Sequence, residues 1–191
     1  MRIGLFGGSF DPVHLGHLEL AKAAKDEYKL DKIFFIPAKF PPHKLNKKLL
    51  SPAKRLGFLS AALKPFKAFK ISRYELERGS TTYTYITAAH FKKRFPGAEL
   101  FFIIGGDSLA ELATWKSIGK LAKTLKFIVG KRPGISLDQD FPYRDSVLFV
   151  KKKMPCVSST EIRRLAGLGR PLKGFVPASV EKLILKNGIY K

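Results

Sequence analysis

Cysteine is almost absent from this chain of 191 residues: Cys156 is the single one. No internal disulfide can form, and a zinc site built on several thiolates is excluded. A lone cysteine reads first as a small buried hydrophobe. Long apolar runs are missing as well. No stretch approaches the roughly 18 apolar residues of a membrane span, and the N-terminus enters a strand-like segment without the apolar core and small-residue cleavage site of a signal peptide. A soluble, cytoplasmic protein with no membrane partner is expected. Acidic residues are scarce, with 15 Asp and Glu against 36 Lys and Arg, a formal net charge of +21. Such a surplus favours anionic partners and speeds encounter with phosphorylated small molecules. Its clusters are scattered (Lys47 with Lys48, Lys92 to Arg94, Lys131 with Arg132, Lys151 to Lys153), as on solvated faces, so charge alone does not select nucleic acid.

Hydrophobic residues make up 45% of the chain, enough for the core of one globular domain over residues 1–191. Apolar strand-like runs alternate with amphipathic helical ones. Ile3 to Phe6 precedes a helix from Leu15 to Tyr28, and Lys32 to Ile36 precedes a helix started by Ser51 and Pro52. Phe69 to Tyr74 leads to a helix over Tyr83 to Phe95, and Leu100 to Ile104 to one from Ser108, with a continuous helix to Lys123 as one reading. Phe127 to Val129 and Val147 to Val150 follow. Ser158 to Leu168 and Ala178 to Lys186 read as two closing helices within residues 158–188. Runs such as "KIFFIP" and "LFFIIGG" are apolar on both faces, as buried parallel strands are. The predicted fold is α/β, a Rossmann-like doubly wound parallel sheet with helices on both faces.

Ligands of such sheets bind beyond the carboxyl ends of the strands, and the polar, glycine-rich signals lie there: Gly7, Gly8 and Ser9, then "PAKFPPHK", then Gly105, Gly106 and Asp107. Neither a Walker A loop nor the G-x-G-x-x-G fingerprint is present. Instead, "GGSFDPVHLGH" reads as a Gly-Gly turn opening a helix whose positive N-terminal end favours an anion. His14 and His17 are neighbours on its first turn, where two imidazoles can donate to phosphate oxygens. Spacing alone also admits structural histidines or half a metal site, but His43, His90 and the scattered carboxylates supply no local pattern for further metal ligands. In "CVSSTEIRR", Ser158 and Ser159 suit a cap and first turn. Thr160 adds a hydroxyl, and Arg163 follows one turn later, so an anion at that helix start meets backbone N–H, hydroxyl and guanidinium together.

These two stretches together resemble the signatures of the H-x-G-H nucleotidyltransferase superfamily. The resemblance implies the nucleotidyltransferase type of Rossmann-like fold and transfer of a nucleoside monophosphate from an NTP to a phosphate-bearing acceptor. Three further stretches resemble the bacterial nicotinate-nucleotide adenylyltransferases: "IPAKFPPHK", "TTYTYIT" and "IIGGDSLAELATWK". The implied reaction carries AMP from ATP to nicotinate mononucleotide, giving deamido-NAD and pyrophosphate, with Mg²⁺ bridging the triphosphate through water and phosphate oxygens and no protein metal site.

The resemblance implies His14, His17, Lys44 and Arg163 as the residues that offset charge in the transfer. It implies Gly7, Gly8, Ser9, Phe10, Gly105, Asp107, Arg132, Ser158, Ser159 and Thr160 around ATP, with Asp107 on a ribose. Thr84, Trp115 and the backbone of Lys116 would hold the nicotinate ring and its carboxylate. Ser9 stands where the family often carries Thr, and the basic surplus is not part of the family pattern. Sibling phosphopantetheine adenylyltransferases share "SFDP" and H-x-G-H but have no evident need of the Pro-Pro-His-Lys and Trp features. A nucleic-acid binder would not need both catalytic motifs, so no nucleic-acid partner is expected. A homo-oligomer is left open.

Overall fold

The computed structural model describes residues 1–40, 49–130 and 143–191. Its strands are β1 (Arg2–Gly8), β2 (Lys32–Pro37), β3 (Phe69–Ile71), β4 (Glu99–Gly105), β5 (Lys126–Gly130) and β6 (Val147–Phe149). The helices are α1 (Leu15–Glu27), α2 (Pro52–Leu63), α3 (Tyr74–Glu77), α4 (Thr84–Arg94), α5 (Gly106–Ala110), α6 (Ile118–Thr124), α7 (Ser159–Gly167) and α8 (Ala178–Lys186). Every pairing is parallel and the strand order is β3-β2-β1-β4-β5-β6.

The apolar strands serve two cores because successive side chains leave a strand on opposite faces. Ile33 and Phe35 join Phe101, Ile103 and Ile128 on one face, packed against α1, α2, α7 and α8 through residues such as Ala21, Leu59, Ile162 and Val180. Phe34 and Ile36 join Phe102, Ile104 and Phe127 on the other, packed against α4 and α6 through Phe91 and Leu121. A strand apolar at every position is thus what two covered faces require, and the doubly wound expectation holds. The chain builds outward from β1 to β3, then crosses to the other face and restarts at β4 beside β1. The winding therefore reverses between β1 and β4, and the carboxyl ends of these two strands open a crevice.

Four local expectations are corrected. Gly7 and Gly8 are the last residues of β1, paired with Ile36 and Pro37, rather than a turn. Their missing side chains serve close packing: a Cβ on Gly7 would meet the Phe102 ring at 2.9 Å. The third strand stops at Ile71, because the Tyr74 N–H turns back to the Ser72 hydroxyl (3.4 Å) and a short helix begins. The helix over Ser108 to Lys123 is broken: Ser117 takes a left-handed backbone (φ 59°), dividing it into α5, a 3-10 turn at Leu112–Thr114, and α6. Cys156 is exposed, since the segment before α7 buries its neighbours Met154 and Val157 instead. Among the described residues, no helix is long and apolar enough to cross a membrane.

Candidate active site

The reversal between β1 and β4 is filled by a cleft of about 820 Å³, within the usual range for a small-molecule site. Gly7, Gly8 and Ser9 line it from β1, Ala38 from beyond β2, and Gly105 and Asp107 from β4, so the described parts of the three anticipated segments converge, Pro41 to Lys44 lying outside the described residues.

One wall is the start of α1. His14 is its N-cap residue, extended (φ −142°, ψ 172°) and only 3% exposed. The imidazoles of His14 and His17 stack with centroids 3.7 Å apart, and His17 Nδ1 accepts from the His14 backbone N–H at 3.2 Å. That bond places the proton of the neutral His17 ring on Nε2, which is therefore its donor. Gly16 between them keeps this packing close, since a Cβ there would stand 3.1 Å from the His14 ring and press on it. No acidic residue stands in the first turn of α1, so the positive end of the helix is unopposed.

The start of α7 faces this wall and clamps it. Ser158 caps the helix, accepting from the Glu161 N–H (3.2 Å), as its sequence position indicates. The Ser159 hydroxyl donates to the Pro12 carbonyl (3.1 Å). Arg163 donates through Nη1 to the Asp11 carbonyl (2.8 Å) and through Nη2 to the Thr160 hydroxyl (3.2 Å). The two signature stretches, some 145 residues apart in sequence, thus form one bonded unit lining one side of the cleft. Glu161, in the first turn, is neutralised by Arg164 at 2.8 Å.

The opposite wall comes from α4 and from the segment between α5 and α6. Thr84 opens α4 and lines the cleft with Tyr83. Trp115 also lines it, its ring held edge-on by Phe102 (5.8 Å, 87°) and Phe127 (6.2 Å, 83°). The Lys116 ammonium sits 4.5 Å over the Tyr83 ring, tying the two halves of this wall together. Asp107 lies in the first turn of α5 rather than in a loop.

Phe10 turns its side chain into the core. Its side chain is 1% exposed and does not line the cleft; it packs against Phe6 (5.6 Å), Phe35 (5.6 Å) and the His17 ring (5.1 Å). That aromatic packing holds a left-handed backbone (φ 48°), a costly conformation for a bulky residue. Lys44 and Arg132 lie outside the described residues.

Two buried residues, Glu75 and Arg55, and the partly buried Tyr190 escaped the sequence reading. Glu75 lines the cleft and accepts from the Thr87 hydroxyl at 2.7 Å, and burial pushes its carboxyl up from the usual range. Arg55, 1% exposed, donates to the carbonyls of Leu50 (3.0 Å) and Ser9 (2.8 Å); burial lowers its ionisation, with nearby Asp11 opposing. Tyr190 donates to Asp11 Oδ1 at 2.6 Å. Of the three, Arg55 left a signal: it sits three, four and seven residues before Phe58, Leu59 and Ala62, on the apolar stripe of α2. Glu75 was hidden by reading Tyr74 as strand, and Tyr190 meets a partner 179 residues away.

A cytidylyltransferase-like family model matches residues 5–165. A protein of Halalkalibacterium halodurans named "Probable nicotinate-nucleotide adenylyltransferase" is 42% identical over 191 residues, covering 100% of this chain and 91% of that protein. One of Exiguobacterium sibiricum with the same name is 41% identical, covering 100% and 99%. Among solved structures, the Plasmodium falciparum nicotinic acid mononucleotide adenylyltransferase complexed with NaAD superposes with a TM-score of 0.81 over 99% of this chain and 97% of that one. At 19% identity, this likeness is one of fold.

Proposed function

The chain belongs to the nicotinate-nucleotide adenylyltransferases of the cytidylyltransferase-like family, and we propose that it transfers AMP from ATP to nicotinate mononucleotide, forming deamido-NAD and pyrophosphate. The observation that carries this reading is the division of one cleft. The stacked His14–His17 pair and the start of α7 make a cationic, donor-rich side, and Thr84 with Trp115 makes a side suited to a flat anionic ring.

In the proposed reaction a 5′-phosphate oxygen of nicotinate mononucleotide attacks the α-phosphorus of ATP in line. The new P–O bond forms as the bond to the β-phosphate oxygen breaks, and pyrophosphate leaves with that electron pair. No protein nucleophile is needed, so the residues align the reactants and offset charge. His17 donates from Nε2, His14 supports it by stacking, and Arg163 offers its remaining N–H groups beside the loop it already holds. Gly7, Gly8 and Ser9, together with the first turn of α7 at Ser158, Ser159 and Thr160, surround the triphosphate; Gly105 and Asp107 meet the adenosine half. Lys44 and Arg132 enter as triphosphate cations on sequence resemblance alone. Thr84 and the backbone of Lys116 receive the nicotinate carboxylate while Trp115 stacks on the ring.

Mg²⁺ fits this scheme as an ion that arrives on the triphosphate. Among the described residues no group of three or more His, Cys, Asp or Glu could cage a metal, and Mg²⁺ on a nucleotide keeps several waters and needs few protein ligands. It supplies positive charge on the phosphate oxygens. The test is incubation with ATP, Mg²⁺ and nicotinate mononucleotide, followed by mass analysis. Deamido-NAD in step with pyrophosphate supports the reading, and pyrophosphate-free or product-free mixtures refute it.

A further inference from the structure

The cleft's opening loop is held from behind by a buried polar cluster whose Asp11, Arg55 and Tyr190 have no direct part in the proposed reaction. Asp11, 1% exposed, sits at its centre. Its Oδ1 accepts from the Tyr190 hydroxyl at 2.6 Å, and its Oδ2 accepts from the Leu50 N–H at 3.3 Å. Arg55 binds the Ser9 carbonyl, and Arg163 binds the Asp11 carbonyl. Three distant parts of the chain therefore meet at one carboxylate: the loop carrying Ser9, the residues leading into α2, and the turn after α8. Leu49, beside Leu50, lines the cleft, so this junction borders the site on two sides.

We propose that Tyr190 is a positioning residue for the transfer, setting through Asp11 the geometry of the loop from Ser9 to Val13 that leads into His14. The proposal rests on the reading that this loop and the start of α1 hold the transferring phosphates. Its physical basis is that Asp11 can orient the loop only if its carboxylate is itself fixed. A buried carboxylate is fixed by its hydrogen bonds, and one to an ionised group is among the stronger kinds. Among the described residues, Tyr190 makes the shortest hydrogen bond at Asp11, at 2.6 Å. Burial first, and the Asp11 carboxylate second, push its ionisation far above the ordinary tyrosine range, so its hydroxyl stays a donor at every working pH. Its ring lies 6.5 Å from that of Phe58, a contact that phenylalanine would keep. Without the hydroxyl, the Asp11 side chain keeps, among the described residues, the longer bond from Leu50, and the loop can shift by the fraction of an ångström to which in-line transfer is sensitive.

The test is Tyr190→Phe, read by steady-state kinetics with ATP and nicotinate mononucleotide and by amide hydrogen exchange on the free protein. The expected result is a fall in kcat of about tenfold, with KM for nicotinate mononucleotide within about twofold of wild type, the scale of one lost charged hydrogen bond. Faster exchange is expected at Phe10, Asp11, Val13 and Leu50, with rates in β4 and α4 unchanged. Asp11→Asn should lower kcat similarly, and the double variant should be no slower than the slower single one, because both break one link. An unchanged kcat overturns the proposal, and so does exchange accelerated throughout the fold, which is the mark of a merely stabilising tyrosine. If wild type transfers no AMP, the functional reading has failed instead. The positioning claim is then decided by exchange alone, and unaltered protection from Phe10 to Val13 overturns it.

Discussion

The imidazoles of His14 and His17 lie face to face, 3.7 Å between centroids and 27° between planes, and the His17 ring is pinned by a hydrogen bond from the His14 backbone. The second histidine is thus oriented by the first, with its donor nitrogen fixed before any ligand arrives. This is preorganisation of the kind that stabilises charge without reorganising during the reaction.

His17→Ala is expected to lower kcat by about 10²- to 10³-fold, the cost of one preorganised donor to developing charge. KM for nicotinate mononucleotide should change little, because that substrate is assigned to the opposite wall. The variant should still fold, with its melting temperature lowered modestly by the lost acceptor for the His14 N–H and the lost ring packing, and turnover measured alongside checks both parts. Wild-type turnover in a folded variant contradicts the role.

Trp115→Ala should reduce kcat/KM for nicotinate mononucleotide by about tenfold, equivalent to the ~1.4 kcal/mol of an aromatic stack, while leaving KM for ATP near its original value. Trp115→Phe should retain most of the efficiency, since Phe102 and Phe127 can hold a smaller ring edge-on. Equal losses for both substrates would assign Trp115 to packing alone.

Arg55→Met tests the underside of the loop. It leaves the Ser9 and Leu50 carbonyls without their donor and Asp11 without its buried positive neighbour. Leaving buried carbonyls without their donor costs about 1–3 kcal/mol each, so the denaturant midpoint should drop at an unchanged slope. A midpoint near wild type would show that water replaces the guanidinium at no cost.

Glu75 makes stability depend on pH in a defined direction. Its carboxyl is raised in the folded protein by burial, with the Thr87 hydroxyl partly opposing. A raised acid binds more protons folded than unfolded, so its contribution is full below the unfolded value and is lost as pH rises through the folded one. Glu75→Gln keeps an acceptor for Thr87 and removes the charge. Its melting temperature should therefore match wild type near pH 4 and exceed it increasingly toward neutrality. A constant difference across that range would contradict the assignment.

Much of this was legible in the sequence because it is written locally. "KIFFIP" and "LFFIIGG" betray strands covered on both faces, Ser158 announces its own cap, and the His14–His17 spacing puts two rings on one helical turn. What was hidden depends on distant partners. Gly7 and Gly8 look like a turn, yet they are strand paired with Ile36 and Pro37, and their bare backbones make room for the Phe102 and Phe10 rings. Phe10 looks like a loop residue at the ligand, but three surrounding rings draw it into the core. Helix periodicity from Ser108 carries no sign that Ser117 turns left-handed and frees Trp115 from a continuous helix. Tyr190 and Asp11 meet only once the fold exists.

The central claim is that one cleft joins ATP to a nicotinate-bearing acceptor, and it is tested most directly by pyrophosphate release with ATP and Mg²⁺. Nicotinate mononucleotide, nicotinamide mononucleotide and phosphopantetheine would be offered in parallel. The account predicts strong preference for nicotinate mononucleotide, because it alone carries the carboxylate proposed to meet the start of α4 at Thr84. Preference for either of the others would contradict the acceptor side of the cleft, and silence with all three would contradict the transfer itself.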